Sequence, residues 1–394
     1  MLGAGVFSAF APAAAAAGAG LLVGLAIAGI IAWCNAAASA QLAAQFPESG
    51  GTYVYGSRMI GPWTGFVAGW SFVVGKTASC AAMALTASAY LAPAGWFKPA
   101  AVVITLALTC VASLGVTRTA TATKVIVATV LVVLAVVCAG AVSAPRAADA
   151  FGGGLPHGAY GLLQAAGLLF FAFAGYARIA TMGEEVRDPQ RNIPRAIMIS
   201  LGIALGVYLL VAVAALVSLG PEALATAVAP LADVATAGGW AWAGAVVRIG
   251  AGVAALGALL SLIAGVTRTE LAMARTGDLP TRLAMVHPRA RVPRTAAVWT
   301  GVAVVVIVLV ADVRAAIGFS SFGVLLYYLI ANLSALRQHG EHRRYSRALQ
   351  VSGAAGCVVL AATLPVWAMA ASAATVAVGV AIRWIRLRRA AGRP

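Results

Sequence analysis

Two short interruptions in hydrophobic segments are the parts of this sequence best suited to binding chemistry. The first is Gly3-Ala4-Gly5, and the second is 172–175, "AFAG", within the apolar stretch 158–185. Glycine is a poor helix former, and unwound backbone is tolerated in a membrane only where it lines a cavity. The freed N–H groups favour an anion and the freed carbonyls a cation. Two crossing breaks would therefore hold a zwitterion, with a carboxylate on the N–H groups of Gly3–Val6 and an ammonium on carbonyls of both breaks.

A simpler interpretation of the breaks stands beside this one. The chain contains 43 glycines among 394 residues, and membrane helices are in general rich in glycine. The breaks alone do not decide between the two interpretations, so the elements that carry them matter.

The elements around the breaks are predicted to be membrane helices. Hydrophobic residues make up 62% of the chain and charged residues 10%, and apolar runs long enough to span a bilayer recur along it. The pattern predicts an all-α polytopic membrane protein with about 12 transmembrane helices. The predicted spans are 6–17, 19–44, 62–92, 99–116, 124–142, 158–185, 196–219, 241–267, 295–311, 316–336, 349–368 and 370–387.

The net charge of +16 reports topology rather than a nucleic-acid partner. Most Lys and Arg residues fall in loops on one side, among them "RDPQRNIPR" and "RQHGEHRRYSR", and in the tail "RWIRLRR". By the positive-inside rule these loops and both termini are cytoplasmic, in contact with the lipid bilayer. The abundance of Arg and Ala is typical of a bacterial chain, so we expect a location in the bacterial cytoplasmic (inner) membrane.

Other chemistry finds little support in the sequence. The five cysteines all lie in predicted spans and the four histidines in loops, which predicts no disulfide framework, no metal site and no cofactor. No pair of residues suited to catalysis lies within a span, so we predict that the chain is not an enzyme. "FAPAAAAAGAG" looks like a signal-peptide cleavage region, yet no Lys or Arg precedes Arg58, as such a peptide requires.

The spacing of the two breaks predicts an internal repeat. Five spans separate them, so each break would open a five-helix repeat, and the two repeats would have opposite topology. The predicted units are 1–142 for the first repeat, truncated at its start, 158–336 for the second, and 349–394 for two extra helices and a basic tail.

Four motifs in this frame resemble the amino acid–polyamine–organocation (APC) superfamily, whose members have the inverted-repeat fold of LeuT. They are "GAGVF", "FPESGGTYVY", "FFAFAGYARIATMGEEVRDPQRNIPRAI" and "TRTELAMARTGDLP". In that fold the substrate site lies at discontinuous helices near the middle of the membrane. The resemblance covers residues 3 to about 336.

The resemblance implies roles for individual residues. Gly3, Ala4 and Gly5 would bind a substrate carboxylate, and the backbone of Phe171, Ala172 and Ala174, next to Gly175, would face its amino group. The side chain of Phe171 would cover bound substrate. A looser alignment directs Lys76, Cys80 and Met83, which share one helical face, toward the same pocket.

Family members also carry a half-helix before the Gly-x-Gly break, where this chain has two residues. A charged N-terminus would then lie near the bilayer centre, at a cost of about 2.5–3.5 kcal/mol. We therefore expect Met1 to be an internal methionine, with the true start about 15–40 residues upstream, enough for such a half-helix.

Charges within the predicted spans give the remaining hypotheses. Lys76 either faces the pocket, where it would disfavour cationic substrates, or extends to the membrane surface. Arg178 either replaces a bound cation electrostatically or pairs with Glu184 or Glu185, which would gate the inner side. Because no Asp or Glu lies deep in a predicted span, proton and counter-substrate coupling are not distinguished.

The sequence as a whole favours amino-acid transport across the cytoplasmic membrane by alternating access. The substrate would be held at the breaks of helices one and six, with a neutral or acidic amino acid favoured over a cationic one. The alternative is a non-transporting sensor or partner subunit on the same scaffold.

Overall fold

The computed structural model describes residues 3–391 except 49, 94, 116–119, 153, 177–185, 187, 289 and 291. Every regular element in those ranges is a helix. The α-helices are α1 (Gly5–Ser8), α2 (Phe10–Ala17), α3 (Leu21–Gln45), α4 (Thr52–Met59), α5 (Pro62–Leu91), α6 (Phe97–Ser113), α7 (Ala120–Ser143), α8 (Gly158–Phe173), α9 (Pro189–Thr226), α10 (Pro230–Ala237), α11 (Ala241–Arg275), α12 (Arg294–Val310), α13 (Val313–Leu336), α14 (Arg347–Ala362) and α15 (Val366–Ala391).

Seven helical stretches are long and apolar enough to cross a membrane. They are Phe10–Gln45, Pro62–Leu91, Thr121–Ser143, Pro189–Thr226, Ala241–Arg275, Val313–Leu336 and Val366–Arg389. The shorter helices α6, α8, α12 and α14 are also apolar. The chain therefore has the architecture of a polytopic, all-helical membrane protein, while the count of twelve spans stays a prediction.

A helix begins at Gly5, at the end of the predicted first break Gly3-Ala4-Gly5, and it bends at Ala9. The backbone of α1 continues into α2 through Ala9, whose N–H donates to the Gly5 carbonyl over 3.0 Å. Pro12 has no N–H to offer the carbonyl of Ser8, which accounts for the irregular turn at this point. The helix then ends at Gly18, whose φ of 56° suits a residue without Cβ.

A helix end lies inside the range 172–175, where the second break is predicted. The helix α8 ends at Phe173, and a tighter 3₁₀ turn, Ala174–Tyr176, follows it. Such 3₁₀ turns are frequent at the ends of α-helices.

The long helix α5 packs along both α11 and α13. Its crossing with α13 is a contact between backbones, because a Cβ added to Gly323 would lie 2.9 Å from the Cα of Gly75. Next to this crossing, the hydroxyl groups of Ser79 and Ser320 are 2.6 Å apart and share a hydrogen bond. Glycine thus sets the close approach of these two helices.

One helix boundary differs from the predicted span. The eighth span was predicted to end at residue 267, but α11 continues to Arg275. Glu270 therefore belongs to a helix that can span the membrane, and its side chain is buried, with 7% exposed. The hydropathy pattern ends at the charged residues, whereas the helix ends only ahead of Gly277, which has a φ of 82°.

Candidate functional site

The two helix breaks are in direct contact. A Cβ added to Gly5 would lie 2.8 Å from the Cα of Ala172 and 3.1 Å from its Cβ, a separation that only glycine permits. Val6 and Phe7 on one side and Phe171 and Ala172 on the other are buried. The start of the first helix thus meets the end of α8 deep inside the protein.

Lys76 brings a positive charge to the second break. Its Nζ atom donates a hydrogen bond to the carbonyl of Ala174 over 3.0 Å, and its side chain is only 6% exposed. The ammonium therefore lies at a carbonyl of the predicted second break, the kind of group at which the sequence predicted a cation. The side chain of Lys76 is therefore directed into the protein, and it does not extend along its helix toward the membrane surface.

Two tyrosines that sequence reasoning missed bind the carbonyls on either side of the contact. The hydroxyl of Tyr90 on α5 donates to the Phe7 carbonyl over 3.0 Å, and that of Tyr208 on α9 donates to the Ala172 carbonyl over 3.1 Å. Each aromatic ring also packs on a phenylalanine of its break, Phe7 or Phe173. Each predicted break is thus tied to another helix by one tyrosine hydroxyl.

The other predicted site residues have different surroundings. Ala4, Val6, Cys80, Met83 and Phe171 are buried, Gly3 is half-buried and Gly175 is exposed. Cys80 and Met83 follow Lys76 on α5 by one and two turns. The predicted gating residues Arg178, Glu184 and Glu185 lie outside the described residues.

A second polar assembly, which we call the Asp278 cluster, consists of Tyr53, Thr276, Asp278 and Arg383. Asp278 accepts a hydrogen bond from the Tyr53 hydroxyl over 2.8 Å and forms an ion pair with Arg383 over 2.8 Å. The Tyr53 hydroxyl also lies 2.5 Å from that of Thr276. The cluster connects α4, the end of α11 and α15.

Two of the four motifs that resemble the APC superfamily therefore contact each other in the Asp278 cluster. Tyr53 belongs to "FPESGGTYVY", and Asp278 belongs to "TRTELAMARTGDLP". Burial raises the pKa of the Tyr53 hydroxyl to about 12, so this hydroxyl keeps its proton at neutral pH and acts as a donor. The guanidinium of Arg383 also lies over the rings of Trp63 and Phe66, 4.6 and 4.8 Å from their centroids.

Comparison with known proteins shows the family to which the chain belongs. The family model described as "Amino acid permease" matches residues 1–387. An uncharacterized transporter of Mycobacterium tuberculosis (strain ATCC 25618 / H37Rv) is 56% identical over 394 residues, which is 99% of this chain and 89% of that protein.

More distant relatives carry names that state a substrate class. Cationic amino acid transporter 7, chloroplastic, of Arabidopsis thaliana is 29% identical over 369 residues, or 86% of this chain and 63% of the relative. Cationic amino acid transporter 4 of Homo sapiens is 35% identical over 190 residues, 47% of this chain and 29% of the relative.

Proposed function

The chain belongs to the amino acid permease family, and on that premise we propose that it carries an amino acid across the membrane by alternating access, with the substrate held at the two helix breaks. The family makes it a transporter and not an enzyme. The observation that carries the proposal is the contact between Gly5 and Ala172, because it brings a helix start and a helix end together inside the protein.

This contact suits both ends of an amino acid. The N–H groups at Gly3–Val6 belong to the first turn of a helix, where they have no partners within the helix and favour a carboxylate. The carbonyls around Phe171, Ala172, Ala174 and Gly175 accept hydrogen bonds and favour an ammonium. Main-chain groups bind both charges, so the site needs no acidic side chain of its own.

The proposed repeats, 1–142 and 158–336, are supported by helix packing that occurs twice. If α2, α3, α5, α6 and α7 correspond to α8, α9, α11, α12 and α13, each contact between the halves has a counterpart. The packing of α3 on α8 corresponds to that of α9 on α2, and the packing of α5 on α13 to that of α11 on α7. The packing of α5 on α12 corresponds in the same way to that of α11 on α6. Two similar units related by inversion would produce this pattern.

Lys76 supports a preference for neutral or acidic substrates. Its charge at the Ala174 carbonyl would repel a second cation at the same break. The names of the more distant relatives favour a second candidate, a cationic amino acid. Such a substrate would have to keep its side-chain charge away from Lys76, with Cys80 and Met83 lining the space between.

The buried Phe171 is placed in this proposal as the cover over bound substrate. Its neighbours along the chain, Arg178, Glu184 and Glu185, would control access from the inner side. The membrane is proposed to be the bacterial cytoplasmic membrane, with both termini in the cytoplasm, on the grounds of the positive loops and the mycobacterial relatives.

Exchange in proteoliposomes tests the proposal. Purified protein, as given and with any in-frame upstream extension, would be loaded with one unlabelled amino acid and supplied with labelled neutral, acidic and basic amino acids outside. We expect counterflow of at least one class, and protein-free liposomes give the background. Folded protein that exchanges none of them in either form would instead favour a sensor or partner subunit.

A further inference from the structure

Glu270 is a buried carboxyl group that the proposed substrate site does not use. It lies on α11, five residues before the end of that helix at Arg275, which is about 7.5 Å along the axis. Both carboxyl oxygens face the hydroxyl of Thr300 on α12, at 3.1 and 3.3 Å. One hydroxyl can donate only one hydrogen bond, so most of the acceptor capacity of a carboxylate is left unused.

The described residues provide no cation for this carboxyl group. The two ion pairs found among them are Arg58–Glu48 and Arg383–Asp278. A buried charge without a counter-ion is expensive, and such a carboxyl group is most stable when it carries a proton. A protonated Glu270 would satisfy its surroundings, and an ionised one would require water or a rearrangement of helices.

Among the described residues, the group that hydrogen-bonds to Glu270 from a neighbouring helix is the neutral hydroxyl of Thr300. On α5, the Cys80 thiol is close enough to interact electrostatically with both Glu270 and Lys76, and the Lys76 ammonium donates its hydrogen bond to the Ala174 carbonyl. On α12, Arg294 donates to the carbonyl of Ser113 at the end of α6. The next polar group beyond Thr300 is the hydroxyl of Thr109 on α6, which is buried without a hydrogen-bond partner beside Gly301.

The other charged groups on the helices that pack against α11 and α12 lie away from Glu270. Lys98 of α6 donates to the Leu309 carbonyl near the far end of α12, and Asp233 of α10 interacts with Arg248 toward the start of α11. The further exposed ionisable groups on these helices are Cys110, Lys124, Arg268 and Arg275, and Arg282 is exposed in the segment that follows α11. Cys138 of α7 is half-buried.

From this arrangement we propose that Glu270 is a proton-binding site, and that its protonation and deprotonation couple transport to the proton gradient. The inference rests on the proposed transport function. The chemistry is a simple balance: the carboxylate takes a proton from water on one side and returns it to water on the other, with no oxidation or reduction. The short distance to the end of α11 provides the exit, and movement of α11 against α12 would expose it.

The experiment compares two assays in proteoliposomes of the full chain. Exchange at equal pH on both sides measures transport without a gradient, and uptake under an inward gradient of about one pH unit, worth up to about tenfold accumulation per proton, measures coupling. The amide of Glu270→Gln keeps the size of a protonated carboxyl group. For this variant we expect exchange at equal pH within about threefold of wild type. Its uptake under the pH gradient should be no higher than its uptake at equal pH. Glu222→Gln, the same change at an exposed residue of α9, should leave both assays unchanged.

The outcomes separate the two proposals. Wild-type protein without exchange would contradict the transport function itself. Exchange without any response to the gradient, or wild-type accumulation by Glu270→Gln, would overturn the role of Glu270 and leave transport intact. If the glutamine variant does not fold, Thr300→Val serves instead, because it removes the hydrogen bond and keeps the carboxyl group. It should move the pH midpoint of exchange, and an unchanged pH profile would overturn the proposal.

Discussion

The ammonium of Lys76 lies 3.0 Å from the carbonyl oxygen of Ala174 and binds to it. A side chain on α5 thus binds a carbonyl of the 3₁₀ turn that follows α8. The same ammonium lies one helical turn from Cys80, on the face of α5 that continues to Met83. Lys76 therefore lies between the second break and the face of α5 that we propose to contact the substrate side chain.

Replacing Lys76 should change which amino acids are transported. In Lys76→Met the positive charge is lost and the apolar stem stays, so binding of lysine or arginine should improve at least about tenfold relative to neutral substrates, the factor that corresponds to 1.4 kcal/mol. Competition against labelled substrate in proteoliposomes measures this ratio. Lys98→Met, at an exposed site on α6, is the matched control. An unchanged competition profile for Lys76→Met would remove Lys76 from the specificity of the site.

The contact between the breaks should not tolerate a single methyl group. Gly5→Ala places a Cβ 2.8 Å from the Cα of Ala172, so the two breaks must separate, and we expect exchange to fall by at least about tenfold, as a displacement of about 1 Å in a binding site can cause. Gly206→Ala on α9, where nothing lies within 4 Å of the added Cβ, should behave as wild type. Normal exchange by Gly5→Ala would show that the contact is not needed.

The hydroxyl of Tyr208 should stabilise the second break. Tyr208→Phe leaves the buried carbonyl of Ala172 without this donor, which should lower the free energy of unfolding by about 1–3 kcal/mol. Thermal unfolding in detergent measures the loss. Tyr160→Phe, whose hydroxyl lies 3.4 Å from the Leu364 carbonyl at an exposed site, should change stability by less than about 0.5 kcal/mol. Equal melting temperatures for both variants would argue against a role for the Tyr208 hydroxyl.

The ion pair in the Asp278 cluster should behave as a buried pair. The side chains of Arg383 and Asp278 are only 10% and 11% exposed, so Arg383→Gln alone should destabilise the fold by about 3–5 kcal/mol, because it leaves a buried charge unpaired. The double variant with Asp278→Asn should recover part of this loss. Arg58→Gln, which breaks the exposed pair with Glu48, should cost about 0–1 kcal/mol. Additive effects of Arg383→Gln and Asp278→Asn would show that the two groups do not interact.

The sequence predicts the breaks at 3–5 and 172–175 from local causes, and a helix start and a helix end lie at these positions. Glycines at residues 3, 5 and 175 weaken a helix wherever they occur, and the apolar residues around them predict a membrane segment. The helical class of the protein follows from the same hydrophobic runs, and the family from four motifs in order. None of these inferences requires knowledge of which helices touch.

The features that the sequence did not predict depend on tertiary contacts. Tyr90 and Tyr208 act on carbonyls of other helices, and nothing near them in the chain distinguishes them from tyrosines in a core. Glu270 was placed outside a span because hydropathy falls at Arg268, although the helix continues. Arg383 was assigned to a basic tail because no residue close to it in the sequence indicates a partner. Its partner Asp278 lies 105 residues away.

The crossing of α5 and α13 has a mechanical consequence. Where Gly75 meets Gly323 the helices touch through their backbones, and on the same two helices the rings of Phe72 and Tyr327 are in contact, with centroids 5.1 Å apart. A rotation of one helix on the other about the glycine contact would move these rings against each other, so the crossing couples the relative position of the two halves to the packing of one aromatic pair. The hydroxyl pair of Ser79 and Ser320, one turn from it, is a single hydrogen bond that such a rotation would break and form again at little net cost.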